Sequence, residues 1–244
     1  MTPTPRRALL ALAALLPGAA LAQALTPAQR EEVLGLLRQS LRDDPSILRE
    51  ALAGLEQAET RDREAAQART LAERGDALFR DAADPVRGNP QGRVAMVEFF
   101  DARCGFCKQM HPVMEQLLAR ERDLRVVMKD LPILGPNSVL AARAMLAAQR
   151  QNGYVPLYDA LMRLREDTTE PVLRREAERL RLDWPRLRRE MEEPAVTARI
   201  ERNVTLARAL QIQGTPAFII GTTILPGAID LATLQGLVAR ARAG

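Results

Sequence analysis

The sequence predicts an α/β fold made of a strand, a cysteine-bearing helix, a second strand, a long helical insertion, a hairpin and a last helix. Three observations predict it. Val94–Phe100 is apolar except for Glu98, the pattern of a strand buried on both faces. It runs through a short turn into Cys104-Gly105-Phe106-Cys107, placed where a helix should begin. Residues 124–131 form a second apolar run, and residues 217–220 and 223–225 flank Gly221-Thr222 as a hairpin.

In chain order, residues 1–22 read as an export leader. Arg6 and Arg7 form a positive start, residues 8–16 an apolar stretch, and Ala20-Leu21-Ala22 a cleavage site. The alternative, a membrane anchor, needs a longer span. Removing these residues takes away two arginines and no acids, so the net charge becomes +4 − 2 = +2. That charge is too small and too interspersed to predict binding to nucleic acid or a membrane surface.

Residues 23–80 are expected to be helical. Thr26-Pro27-Ala28-Gln29 supplies a cap, a proline at the first helical position and a capping-box glutamine. The first helix should run to about residue 42, with Val33, Leu34, Leu37 and Leu41 at helical spacing. Asp43-Asp44-Pro45 stops it, and Asp44 or Ser46 caps a second helix striped by Ile47, Leu48, Leu52 and Leu55. Residues 56–74 turn to Ala, Glu, Arg and Gln, a solvated surface unless another chain covers it. So narrow a stripe buries itself poorly, which leaves two readings: packing on the rest of the chain, or a homo-oligomer formed through residues 26–74.

Residues 84–92 carry turn chemistry and open the globular part. Residues 81–136 then hold the first two strands and the cysteine helix. Residues 137–210 read as an inserted helical domain, with Asn137 or Ser138 as its first cap and breaks near Asn152-Gly153, Asp167-Thr168-Thr169, Asp183-Trp184-Pro185 and Glu193-Pro194. Residues 211–244 close the fold with the hairpin and a helix over residues 230–242.

The chain has two cysteines, both in one C-x-x-C. That excludes a disulfide-stapled scaffold, and zinc would want four ligands where only His111 could join the two thiols. No cofactor is implied. A dithiol at a helix start acts by thiolate attack on a disulfide, then resolution by the second thiol. Cys104, nearer the helix dipole, is expected to be the nucleophile, with a pKa in roughly the 3.5–7.5 range of such sites, and Cys107 the resolver. Gly105 and Phe106 tune the pair, and Phe106 brings neither a donor nor a charge. Glu98, six residues before Cys104, is the candidate proton relay for Cys107 if buried, and a solvated edge residue if not. Lys129 on the second strand is its candidate partner. His111 is expected on the helix surface or, as the alternative, against Cys107, and Pro112 is expected to kink the helix. Thr215-Pro216 precedes the third strand. A cis bond there, facing the dithiol, leaves Thr215 to bind an extended substrate by strand-like addition.

Glu98-Phe-Phe-Asp-Ala-Arg-Cys-Gly-Phe-Cys-Lys, Gly214-Thr215-Pro216-Ala-Phe and Lys129-Asp-Leu-Pro-Ile-Leu-Gly-Pro-Asn-Ser138 together resemble the DsbA-type thiol–disulfide oxidoreductases of the bacterial periplasm. The resemblance spans residues 94–244. It implies a thioredoxin fold with an inserted helical domain, a cis Pro216 against Cys104, and a buried Glu98–Lys129 pair. Residues 31–55 resemble the helical extension of the ScsC-like branch, whose members can oligomerise and act as isomerases or reductases. Gly105-Phe106 departs from the dipeptides of both groups, and Thr215 is closer to isomerase-type members.

The expected function is therefore disulfide exchange in cysteine-containing exported proteins of the periplasm, leaning to isomerase or reductase, with a membrane redox partner and no nucleic acid. A DsbA-like oxidase is the alternative within this class. A copper-binding dithiol protein is the alternative outside it.

Overall fold

A computed structural model describes residues 26–243. The expected leader lies outside the described residues. Two compact units divide within one helix, residues 1–59 and residues 60–244.

In the first unit, helix α1 (Pro27–Asp43) starts with the capping box read from the sequence. Gln29 N donates to the Thr26 hydroxyl at 3.3 Å, and Thr26 N donates back to Gln29 Oε1 at 3.0 Å. Helix α2 (Ser46–Phe79) follows a two-residue break, with Ser46 N bonded to Asp44 Oδ1. Val33, Leu36, Leu37, Ile47, Leu48, Leu52 and Leu55 are all exposed. Among the described residues no helix is long and apolar enough to cross a membrane.

The second unit is built on a five-stranded mixed sheet: β1 (Val86–Gly88), β2 (Val94–Phe100), β3 (Leu124–Asp130), β4 (Ala217–Ile220) and β5 (Thr223–Pro226), in spatial order β1-β3-β2-β4-β5. β2 and β3 are parallel, and the other three pairings are antiparallel. Strand β1 falls in the stretch expected to be turn. It is three residues long and has no apolar alternation, and its pairing with β3 is what makes it a strand. Gly88 ends it at φ +80°, where a Cβ would lie 2.6 Å from the Leu124 carbonyl, so glycine lets the two strands approach.

Side chains alternate across the sheet and separate two cores. Met96, Phe100, Val126 and Met128 face one side, under helix α3 (Gly105–Arg120) and helix α9 (Leu231–Ala243). Val97, Phe99, Val127 and Ile219 face the other, where Leu71 and Leu78 from the last turns of α2 join them. Of the two readings for the N-terminal helices, packing on the rest of the chain holds at the end of α2, where Gln67 Nε2 also donates to the Leu210 carbonyl at 3.0 Å. Between β3 and β4 lies the helical insertion: α4 (Pro136–Ala148), α5 (Tyr154–Arg163), α6 (Glu170–Arg179), α7 (Trp184–Glu190) and α8 (Pro194–Ala209). Gly135, not Asn137 or Ser138, occupies the cap of α4, because Pro136 takes the first helical position.

Candidate active site

Helix α3 begins where β2 ends, and the turn between them is held by Asp101. Its carbonyl accepts from Cys104 N at 3.0 Å, and its carboxylate accepts from Arg103 N at 2.8 Å and from Ile133 N and Leu134 N at 2.9 and 3.0 Å. Sequence reading passed over Asp101; its signal was a carboxylate three residues before a helix cap. The loop it secures leaves Ile133 and Leu134 exposed, as is Phe106 at 60%.

Cys104 is the cap residue of α3, with extended backbone (φ −68°, ψ 121°), and Cys107 lies one turn in with no exposed surface. Both are free thiols. The Thr215–Pro216 peptide bond is cis, and Cys104 Sγ lies 3.1 Å from the Thr215 carbonyl oxygen. The Thr215 side-chain hydroxyl also hydrogen-bonds Cys104, and that bond favours its thiolate. A groove of about 380 Å³ runs beside Thr215 and Pro216, bounded by Arg63, Gln67, Ile224 and Gly227.

The two thiols differ in acidity. A hydrogen bond from the Cys107 thiol, helped by the Cys107 and Phe106 backbone amides, holds Cys104 down to about 5 against the cost of burial. Burial pushes Cys107 far up, and its bond to Cys104 adds to the rise. Cys104 is therefore charged at neutral pH and Cys107 is not. Gly105 has open space around it and is the first residue of α3.

Glu98 is fully buried on the Cys107 side of the sheet. Desolvation raises its pKa; the Arg87 charge and a hydrogen bond from the Tyr158 hydroxyl (3.3 Å) oppose that rise. The buried Glu98–Lys129 pair does not form. Lys129 is directly across from Phe99, one residue along, so the pleat turns it to the opposite face. There its ammonium donates to Asp84 and to the Ala77 carbonyl, the latter at 2.7 Å. Lys129 thus ties α2 to the sheet and is not part of the dithiol site.

His111 is not on the surface. It is 2% exposed, and its Nε2 lies 2.8 Å from Asp159 Oδ1 of the helical insertion. A lone histidine on an amphipathic helix gives no hint of a partner 48 residues away. Helix α3 runs on through Pro112 to Arg120. Sequence reading also missed Arg87, buried on β1, with its guanidinium 4.6 Å from the Tyr158 ring centre.

A family model described as DSBA-like thioredoxin domain matches residues 95–239. Among solved structures, a thioredoxin-like oxidoreductase from Silicibacter pomeroyi is 40% identical, covering 69% of this chain and 98% of its own, with a TM-score of 0.68. Proteus mirabilis ScsC in a transitional conformation is 33% identical and covers 90% of this chain and 98% of its own, with a TM-score of 0.66. A periplasmic thioredoxin-like protein from Salmonella enterica serovar Typhimurium is 32% identical, covering 70% and 96%, with a TM-score of 0.64. The curated relatives are longer proteins. A Na(+)/H(+) antiporter NhaA 3 of Salinispora tropica is 31% identical over 157 residues, 64% of this chain but 24% of the antiporter, so the chain spans about a quarter of its length. With the matched region covering the whole dithiol site, from β2 through the cis-proline strand to α9, the chain belongs to the DSBA-like thioredoxin domain family.

Proposed function

We propose that the protein is a thiol–disulfide oxidoreductase acting on cysteines of exported proteins in the periplasm. The observation that carries this reading is the acidity gap within one turn of helix: an acidic Cys104 at the cap, against the cis Thr215–Pro216 bond, with a buried Cys107 behind it. Cys104 thiolate attacks a substrate disulfide, and one substrate sulfur leaves as thiolate. Cys107 then gives its proton to Glu98 and attacks Cys104 Sγ, releasing the second substrate sulfur and forming the Cys104–Cys107 disulfide. Exposed Phe106, Ile133 and Leu134, with the groove beside Pro216, suit an unfolded polypeptide substrate. The leader-like residues 1–22 and the periplasmic Salmonella relative support the location.

The direction of exchange leans to isomerase or reductase, on Gly105-Phe106 and Thr215. A second reading, a DsbA-like oxidase, is favoured by the acidic Cys104, since stabilising the reduced form makes the disulfide more oxidising. Insulin reduction with dithiothreitol tests the class, and the Cys104→Ser variant is expected to fall to the uncatalysed rate. Unchanged turnover in that variant sinks the assignment. Reactivation of scrambled ribonuclease separates the two directions: an isomerase restores activity, and a pure oxidase does not.

The reading extends to assembly through residues 26–74, supported by the row of exposed apolar side chains on α1 and the start of α2. Light scattering is expected to give the mass of two or more copies for the full chain, and of one copy for the Leu37→Glu, Leu52→Glu double variant. A single-copy mass for both refutes assembly.

A further inference from the structure

The register of the sheet puts a cation on the Glu98 face that is not Lys129. Arg87 on β1 lies directly across from Val126, which in turn is across from Met96, so Arg87 shares the face of Met96 and Glu98. Arg87 is 4% exposed, and a charge so buried needs a reason to be there. Its guanidinium stacks on Tyr158, whose hydroxyl donates to Glu98 Oε1. Its Nη2 donates to Asp159 Oδ1 at 3.1 Å, the same oxygen that His111 Nε2 approaches. Among the described residues, Arg87 Nη1 and Glu98 Oε2 have no protein partner. An open lone pair on a buried carboxylate is where a proton is taken up.

We propose that Arg87, held by Asp159, to which His111 also bonds, is the positioning residue that sets the proton affinity of Glu98 during resolution by Cys107, with the Tyr158 hydroxyl as its second control. This rests on the disulfide-exchange reading above and deepens it. The titratable and charged groups around Glu98 and Arg87 come from three elements: Arg87 from β1, Cys107, His111 and Glu115 from α3, and Tyr154, Tyr158 and Asp159 from α5. The neighbours directly across on β3 and β4 are apolar, Met128 and Phe218. Arg87 stays charged throughout the working range, so it acts as a fixed bias and not as a proton carrier. Two of the controls, Tyr158 and Asp159, sit on α5, so the helical insertion sets the proton acceptor of a dithiol carried by the sheet domain.

The chemistry gives the sign. Burial favours neutral Glu98, and the Arg87 charge and Tyr158 hydrogen bond favour the carboxylate that accepts the Cys107 proton. Removing either raises the pH needed for resolution. The test is a single turnover of the reduced full-length protein with excess glutathione disulfide, quenched in acid and read by mass spectrometry. One phase forms the glutathione adduct on Cys104. The next loses it as Cys107 closes the disulfide and a second glutathione leaves.

In Arg87→Gln, the rising limb of the second phase is expected to move up by about one pH unit or more, a loss of about tenfold at a fixed pH below the limb. The first phase keeps its own profile. Arg87→Lys, which retains the charge, is expected to recover most of the displacement. An unmoved second-phase limb in Arg87→Gln overturns the proposal, as does an Arg87→Lys variant displaced just as far. If Arg87→Gln does not fold, Tyr158→Phe decides by the same measurement. A wild-type protein that forms no adduct at Cys104 instead refutes the exchange reading on which the inference rests.

Discussion

Reduced protein exposed briefly to iodoacetamide at pH 6 is expected to carry the label on Cys104 and essentially none on Cys107. Only thiolates alkylate at a useful rate. With its pKa down at about 5, Cys104 is mostly thiolate at pH 6, whereas an ordinary cysteine near 8.5 is ionised to less than about 1%. The rate at Cys104 should therefore exceed that of a free cysteine peptide at this pH, with its half-maximum near pH 5. Cys107 lacks both exposure and charge, since burial holds its proton on. Substituting Cys107 by Ala should shift the Cys104 half-maximum upward, because the Cys107 thiol is the largest stabiliser of that thiolate. Equal labelling of the two cysteines at pH 6 would falsify the nucleophile–resolver assignment.

The second large effect is expected on the neighbouring strand, at the residue paired with Phe100 of β2. Asp130, the last residue of β3, is wholly buried, and desolvation raises its carboxyl to about 7 despite the 2.8 Å hydrogen bond from Tyr154. Its Oδ1 has no partner among the described residues. A carboxyl whose folded pKa lies above its unfolded value favours the folded state when protonated. That stability is fully present below about pH 4 and is lost as pH rises through 7. Asp130→Asn imitates the protonated form at every pH. The variant and wild type are expected to unfold in urea with equal stability near pH 4, and the variant to be the more stable at pH 8. Three pKa units set an upper bound of about 4 kcal/mol on that difference. A variant that is less stable than wild type at pH 8 contradicts the assignment of a desolvated carboxylate.

Two buried carboxyls stand on adjacent strands, Glu98 behind the dithiol and Asp130 at the end of β3. Burial raises the pKa of each, and a tyrosine of α5 contacts each, Tyr158 and Tyr154 respectively. The helical insertion thus supplies polar contacts to the sheet as well as covering it.

What the sequence determined by itself follows from local physics. The apolar run of β2, the capping box of α1, the cysteine pair at the start of α3, and the Gly-Thr turn between β4 and β5 all depend on neighbours within a few residues. Each stands where the pattern put it. Cys104, Cys107, Thr215 and Pro216 meet because a strand-to-helix junction and a strand start are brought together by the β2–β4 pairing. Only the tertiary structure decided which cation accompanies Glu98. Glu98 and Lys129 look like partners along the chain, but a one-residue offset on neighbouring parallel strands sends them to opposite faces. Arg87 replaces Lys129 from a three-residue strand with no pattern of its own, and His111 is drawn inward by Asp159. Such pairings join residues tens of positions apart through side-chain direction, which spacing along a chain does not encode.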